Sequence, residues 1–231
     1  MSTVKDVVLL SENTVVILFE QNISLDIARE VSRYQAAIEQ VLSDFIIDMV
    51  PSYASIHITF NLRKVRSGDF NHSLKTLFSE IDDRQVEQIE KRLIEIPIYY
   101  GDEVGFDLTS VAEKAGLTSQ QVINIHAGRV YDVYAMGFAP GFAFLGSVDE
   151  RIATPRKKSP RKHIPAGSLG IANQQTAIYP SDSPGGWQII GKTPINLVDY
   201  SAEEPTVIKS NCQIKFIPIS KQTFIEMGGE I

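Results

Sequence analysis

Residues 131–146 read YDVYAMGFAPGFAFLG, and residues 155–194 read PRKKSPRKHIPAGSLGIANQQTAIYPSDSPGGWQIIGKTP. The interval 131–194 holds seven of the eleven prolines, eight of the fifteen glycines and the only tryptophan, Trp187. Because glycine reaches positive φ and proline fixes φ and removes a donor, this density indicates rigid, shaped turns. Short apolar runs between the turns are typical of β-strands and fall at residues 130–136, 142–145, 177–179, 187–190 and 195–200. The sequence therefore predicts a small β-barrel with a turn-built face.

The first hundred residues have a different pattern. Residues 15–20 predict a strand, and apolar residues then recur at spacings of three and four over 27–41, as on one face of a helix. The remaining predictions here are strands at residues 55–60 and 94–100 and a helix at residues 74–93. We therefore predict an α+β protein in which residues 1–100 form an α/β sandwich domain, with both helices on one face of an antiparallel sheet.

The second predicted domain covers residues 101–231 and contains the barrel. It begins with a helical hairpin over residues 101–128, in which Thr118 and Gln121 form a capping box. The spacing within the hairpin also fits a DNA-binding helix-turn-helix, but the second helix carries no Lys or Arg to hold phosphates. We expect the hairpin to link the two domains.

Composition restricts the function further. The formal net charge is −6, which argues against general affinity for nucleic acid or anionic membranes. The longest apolar run, residues 15–19, is far shorter than the roughly 20 residues of a membrane-spanning helix. We find no signal-peptide pattern, and Cys212 is the only cysteine, so we expect a cytoplasmic protein with no internal disulfide. No His, Cys and carboxylate cluster has metal-ligand spacing, and we expect no metal.

One short motif suggests a nucleotide site but has the wrong context. Residues 186–193, GWQIIGKT, fit the phosphate-loop pattern letter for letter. A phosphate loop follows a buried strand and opens a helix, whereas the intervening residues here are strand-like and Pro194 follows at once. We expect no phosphate loop at this position.

Several long motifs resemble the 5-oxoprolinase B-subunit family, also described as the kinase A inhibitor or allophanate hydrolase subunit 1 family. The motifs are GFAPGFAFLG, PRKKSPRKHIPAGSLGIA, QTAIYPSDSPGGWQIIGKTP and, less closely, IPIYYGDEVGFDL. Family members usually carry Gly-Pro-Asp-Leu where this chain has Gly105-Phe106-Asp107-Leu108, and often Arg at the position of Lys192. The resemblance extends over nearly the whole chain and implies a cyclophilin-like fold for the predicted barrel.

The resemblance also implies a function. A bacterial-type 5-oxoprolinase converts 5-oxo-L-proline to L-glutamate with ATP hydrolysis. Its B and C subunits are expected to activate the lactam through a phosphorylated intermediate before the A subunit opens the ring. We therefore expect the C subunit as a stable partner, the A subunit as a second partner, and an ATP site shared with a partner. The alternative is a regulator, because family relatives inhibit a sporulation histidine kinase by binding its dimerisation helices.

The candidate anion-binding residues are basic or hydroxylic. Arg156 and Arg161 each follow a proline, so their guanidinium groups could be held for a carboxylate or phosphate, or instead form a structural ion pair with a partner protein. Their neighbours Lys157 and Lys158 are predicted to lie in a solvated loop. Two further candidates for binding an anionic group are Ser183 and Lys192.

Aromatic residues supply a candidate pocket. Phe144 is expected in the barrel core, whereas the candidate pocket-lining residues are Phe138, Phe142, Tyr179 and Trp187. Of the four histidines, His126 is the best candidate for acid-base catalysis, although a role in holding the turn at Gly128 by hydrogen bonds is favoured.

Overall fold

The computed structural model describes residues 4–81, 91–210 and 212–231. These residues form two compact units, which divide between residues 81 and 91. Each unit has its own hydrophobic core. The chain is therefore an α+β protein with two units that can be described separately.

The first unit contains a four-stranded antiparallel sheet and two helices. The strands are β1 (Asp6–Ser11), β2 (Thr14–Leu18), β3 (Ile46–Pro51) and β4 (Ser55–Phe60), in the order β1-β2-β4-β3. The helices are α1 (Leu25–Leu42) and α2 (Ser67–Ile81), and a 3₁₀ turn (Ser43–Phe45) follows α1. Residues 82–90 of the predicted second helix lie outside the described residues, and its last residue, Leu93, lies in a strand.

Side-chain alternation explains why this unit forms. Ile56 and Ile58 of β4 are fully buried while His57 between them is exposed, so β4 presents one apolar face. Tyr34 and Ile38 of α1 are also fully buried, and Ser24 caps the helix by accepting a hydrogen bond from the Ile27 amide. Both helices contribute to the same core as this sheet face.

The second unit is built on a seven-stranded mixed sheet. Its strands are β5 (Arg92–Ile98), β6 (Val130–Met136), β7 (Ala143–Gly146), β9 (Ser168–Ala172), β10 (Gln175–Ile178), β12 (Gln188–Lys192) and β13 (Cys212–Pro218), in the order β12-β9-β10-β7-β6-β13-β5. A separate ribbon pairs β8 (Arg161–Ile164) with β11 (Ser183–Gly185). The helices are α3 (Leu108–Ala115), α4 (Ser119–Ala127) and α5 (Lys221–Glu226).

The large sheet curls back on itself. Tyr99, just after β5, and Lys192, at the end of β12, exchange both backbone hydrogen bonds, at N···O distances of 2.9 and 2.8 Å. These two strands are the first and last of the sheet, so the pair links its two edges. Residues of this sheet and of helices α3 and α4 together form the main apolar core of the unit.

The predicted domain boundary after residue 100 is wrong, because strand β5, which precedes it, belongs to the second unit. Strand β5 pairs in parallel with β13 over its whole length, from Arg92 opposite Cys212 to Ile98 opposite Pro218. A parallel pairing requires a distant segment of the chain, so a local pattern does not reveal it. The predicted strand at residues 195–200 is also wrong, because its residues make only an isolated bridge, Val198 with Thr206.

The phosphate-loop match has the structure that its context predicted, whereas the prediction that the hairpin links the two domains is wrong, because β5 precedes the hairpin and already belongs to the second unit. Residues 188–192 of the phosphate-loop pattern form β12, paired with β9, and are not followed by a helix. The hairpin of α3 and α4 is present, and Thr118 and Gln121 make both capping-box hydrogen bonds. Val122 of α4 is fully buried in the core of the second unit. Within the described residues, we find no helix that is both long and apolar enough to cross a membrane.

Candidate functional site

Asp107 joins three segments of the second unit. Its side chain, 5% exposed, accepts hydrogen bonds from Arg161 Nη1 at 2.7 Å and Nη2 at 2.8 Å, and from Lys157 Nζ at 2.8 Å. The Ile189 amide also donates to the carboxylate at 2.8 Å, and the Asp107 amide donates to the Ile189 carbonyl at 2.7 Å. Burial alone would raise the pKa of Asp107, but these donors hold it below its ordinary value. The carboxylate is therefore ionised at neutral pH.

The contacts of Asp107 show what Arg161 binds. Both Nη groups of Arg161 are engaged with the carboxylate, and its guanidinium carbon lies 5.6 Å from the centre of the Phe106 ring. Arg161 thus forms a structural ion pair, but within the chain. The predicted solvated position of Lys157 is wrong, because Lys157 shares the same carboxylate.

Arg156 lies between two anchored neighbours. The Gln188 side-chain amide donates to the Pro155 carbonyl at 2.8 Å, and the Lys157 amide donates to the Gly186 carbonyl at 2.7 Å. The Arg156 guanidinium carbon lies 5.9 Å from the centre of the Trp187 ring, in cation–π contact. Arg156 is exposed and forms no ion pair with the residues that the structure describes.

The four predicted pocket-lining aromatic residues lie together. The Phe142 ring is 5.1 Å from the Phe138 ring, 5.4 Å from Tyr179 and 5.9 Å from Trp187, measured between ring centres. Phe142, Tyr179 and Trp187 are buried and belong to a small core separate from the main one. Phe138 differs, because its side chain is 66% exposed. The cluster is therefore mostly core, with one ring at the surface.

The backbone at Phe138 is strained. Its φ is 75°, in the left-handed region that side chains other than Gly, Asn and Asp rarely adopt. Gly137 before it and Gly141 after it also have positive φ, so the whole turn between β6 and β7 is unusual. Strain of this kind persists only where the surrounding structure imposes it, and it is often found at binding sites.

Tyr179 connects the aromatic cluster to the arginines. Burial raises the pKa of Tyr179, while the Trp187 amide and the positive charges of Arg156 and Arg161 oppose that rise only in part. The hydroxyl is therefore protonated at neutral pH and can act as a hydrogen-bond donor. A Cβ atom at Gly185 would overlap this hydroxyl, so glycine is required there.

Ser183 and Lys192 have other surroundings. Ser183 lies in β11, opposite Ile164 of β8, and its hydroxyl is buried with no hydrogen-bond partner among the described residues. Lys192 donates from its side chain to the Glu230 carbonyl at 2.8 Å. Neither side chain is hydrogen-bonded to Arg156 among the residues that the structure describes.

His126 is part of the main core. It is fully buried, Nδ1 lies 2.9 Å from the Tyr100 hydroxyl, and Nε2 lies 3.0 Å from the Thr176 hydroxyl. Its ring stacks on Phe216, with centres 5.0 Å apart, and burial lowers its pKa to about 3. The imidazole is thus neutral, fully hydrogen-bonded and out of reach of a substrate, so the structure contradicts the catalytic candidacy of His126. Its bonds hold α4 to the sheet.

Comparison with known proteins gives the family. A model of the carboxyltransferase domain, subdomain C and D, matches residues 5–208. The chain is 36% identical over 223 residues to the 5-oxoprolinase B subunit of Bacillus subtilis, covering 93% of both chains. The chain belongs to the 5-oxoprolinase B-subunit family. It is also 43% identical over 144 residues to the corresponding protein of Haemophilus influenzae, covering 62% of this chain and 66% of that protein.

The fold of this family member is also found among solved structures. The crystal structure of TTHA0988 superimposes with a TM-score of 0.77 and 30% identity over 91% of this chain. This chain spans 40% of the length of TTHA0988.

In this member of the 5-oxoprolinase B-subunit family, the structure brings together five of the predicted site residues. Arg156 contacts Trp187, which contacts Phe142, which in turn contacts Phe138 and Tyr179. Sequence reasoning missed Asp107 and Gln188, which hold the basic segment (residues 156–162) against β12. Asp107 lies in the family motif at residues 105–108, which could have marked it as a candidate. The motif does not indicate that Asp107 binds Lys157, Arg161 and the Ile189 amide. Among the described residues no group of His, Cys, Asp and Glu could hold a metal ion.

Proposed function

We propose that this chain is the B subunit of a 5-oxoprolinase, which converts 5-oxo-L-proline to L-glutamate with ATP hydrolysis together with its A and C subunits. The observation that carries the proposal is the similarity to the Bacillus subtilis 5-oxoprolinase B subunit over 93% of both chains. Two exposed side chains support it: Arg156, which lies over the buried Trp187 ring, and Phe138, because a cation and an apolar ring suit a small ring that carries a carboxylate. The relatives' names do not favour the alternative of a kinase inhibitor.

The described residues offer no phosphate-binding loop for ATP. In the one sequence match, the Ile189 amide donates to Asp107 and the Lys192 amide donates to the Tyr99 carbonyl, so both are already satisfied. A phosphate loop would direct such amides at the nucleotide. We therefore expect ATP at a site shared with a partner and not at residues 186–193, and we assign substrate binding to this chain.

Reconstitution tests the proposal. The purified chain would be assayed for glutamate formation from 5-oxo-L-proline and ATP, alone, with the C subunit, and with both the C and A subunits. We expect turnover only with both partners, and co-elution with the C subunit in size-exclusion chromatography. Absence of turnover with both partners, all three proteins being folded, would contradict the proposed function.

A further inference from the structure

The two arginines of the basic segment differ in how their charge is used. Arg161 directs both Nη groups at the Asp107 carboxylate, and 24% of its side chain is exposed. Arg156 is exposed, its guanidinium lies over the Trp187 ring, and it makes no hydrogen bond or ion pair with the residues that the structure describes. A cation over an aromatic ring keeps the N–H groups at its edge available to an anion. Arg156 is thus the arginine with free donors.

The backbone around Arg156 is held in place. Pro155 before it accepts from Gln188, and Lys157 after it donates to Gly186 and also reaches Asp107 through its side chain. A long cationic side chain normally loses rotamer entropy on binding a ligand, and a side chain that is already stacked and anchored loses less. The structure therefore prepares Arg156 for binding before any ligand arrives.

The local charge favours an anion. Arg161 and Lys157 carry two positive charges, and Asp107 between them carries one negative charge, which leaves a net charge of +1. Arg156, in the same basic segment, adds a second net positive charge. This concentration of positive charge occurs in a chain whose net charge is −6. A local positive field raises the concentration of small anions at the surface.

Phe138 is the exposed ring of the aromatic cluster on which Arg156 lies, and it connects to Trp187 through Phe142. Its exposed ring lies 6.5 Å from the Tyr179 ring, and a strained backbone holds it in place. The exposed side chains of this region are therefore a cation, Arg156, and an apolar ring, Phe138.

We propose that Arg156, and not Arg161, binds the carboxylate of a small ring-shaped substrate, and that the exposed ring of Phe138 contacts the apolar atoms of that substrate. The identity of the ring rests on the proposed function, in which 5-oxo-L-proline is the substrate. The assignment of the two arginines rests on their contacts alone.

The single tryptophan makes the test direct, because all intrinsic tryptophan fluorescence of the full chain comes from Trp187. The isolated chain would be titrated with 5-oxo-L-proline, with 2-pyrrolidinone, which has the same ring without the carboxylate, and with acetate, which has a carboxylate without the ring. We expect a saturable change with 5-oxo-L-proline and weaker binding of both analogues.

Matched variants separate the arginine from its neighbours. Arg156→Gln should weaken binding of 5-oxo-L-proline about tenfold or more, equivalent to about 1.4 kcal/mol, whereas Lys158→Gln, which removes the same charge from an exposed neighbour, should bind like wild type. Arg156→Gln should unfold at the same temperature as wild type. Equal binding by the two variants, or no saturable change with the wild-type chain, would overturn the proposal.

The outcomes also distinguish this proposal from the proposed function. If the isolated chain binds 5-oxo-L-proline and loses this binding in Arg156→Gln, but the reconstituted wild-type complex is inactive, the enzyme function is rejected and the anion site is kept. Unchanged kcat/KM of a complex carrying Arg156→Gln would reject the site and keep the function.

Discussion

The guanidinium group of Arg161 binds both carboxylate oxygens of Asp107, with N···O distances of 2.7 and 2.8 Å. The two residues are 54 positions apart, so their pair closes a long loop in the chain. Lys157 and the Ile189 amide complete the surroundings of the carboxylate. The pair fixes the basic segment on which Arg156 is presented, and it accounts for a charge pattern that otherwise suggests a ligand site.

Asp107→Asn should destabilise the second unit by roughly 3 kcal/mol, because it leaves two mostly buried cations without a counter-charge. Chemical unfolding followed by Trp187 fluorescence measures this loss. The control is Asp102→Asn, at an exposed position in the preceding turn, which should change the free energy of unfolding by less than about 0.5 kcal/mol. Equal stability of the two variants would show that the ion pair contributes nothing.

The Asp107→Asn deficit should depend on pH. The folded-state pKa of Asp107 is lowered, so its contribution is present above the unfolded value of about 3.9 and is lost as the pH falls below it. The difference from wild type should therefore shrink below about pH 4, as seen in unfolding curves at successive pH values. A deficit that stays constant to low pH would mean that the ionised carboxylate is not its cause.

Arg161→Gln should also lower the free energy of unfolding, and the losses caused by Arg161→Gln and Asp107→Asn should not be additive in the double variant. The residues contact each other directly, so the double variant should lose about 1 to 3 kcal/mol less than the sum of the single losses. A double-mutant cycle on the isolated chain measures this coupling. Additive losses would assign Arg161 to some other contact.

His126 should make the protein less stable in mild acid. Its folded-state pKa is about 3, so between about pH 6.5 and pH 3 the unfolded chain binds a proton that the folded one does not. Stability is therefore complete above pH 6.5 and falls by up to about 1.4 kcal/mol per pH unit below it. His126→Gln should unfold more easily at neutral pH but show a shallower slope between pH 6 and 5. An unchanged slope would contradict the buried neutral imidazole.

Gly185→Ala and Gly186→Ala should differ sharply although the glycines are adjacent. A Cβ atom at residue 185 would overlap the Tyr179 hydroxyl and lie 2.8 Å from an Ile164 methyl group, whereas at residue 186 the nearest atom is 3.7 Å away. Gly185→Ala should therefore cost about 1–3 kcal/mol and shift Trp187 emission. Gly186→Ala should do neither, and thermal melts with emission spectra would show whether the two differ.

Phe138→Asn should separate binding from folding. Asn tolerates the left-handed backbone better than Phe, so the loss of ring contacts should be offset and the free energy of unfolding should change by less than about 1 kcal/mol. Without the exposed ring, the reconstituted enzyme should have a higher KM for 5-oxo-L-proline. Tyr200→Asn, which removes another highly exposed ring outside the aromatic cluster, should leave KM unchanged. An unchanged KM in both variants would remove Phe138 from the site.

The amino-acid sequence by itself determined the features that depend on local pattern. The apolar spacing of residues 27–41 predicted α1, the alternation at residues 55–60 predicted β4, and Thr118 with Gln121 predicted the start of α4. The long motifs also identified the family, since several in the right order are more specific than any one. These features follow from neighbouring residues, whose side chains meet because the period of a helix or strand places them on one face.

Only the tertiary structure decided which charged and aromatic groups are available to a ligand. Arg156 and Arg161 both follow a proline, yet Asp107 engages Arg161 and a tryptophan ring lies against Arg156. Likewise, the core encloses His126 and removes it from catalysis, and the partner of β5 lies more than a hundred residues along the chain. The physical reason is that hydrogen bonds, ion pairs and burial depend on distance in space, and the folding of distant segments sets that distance.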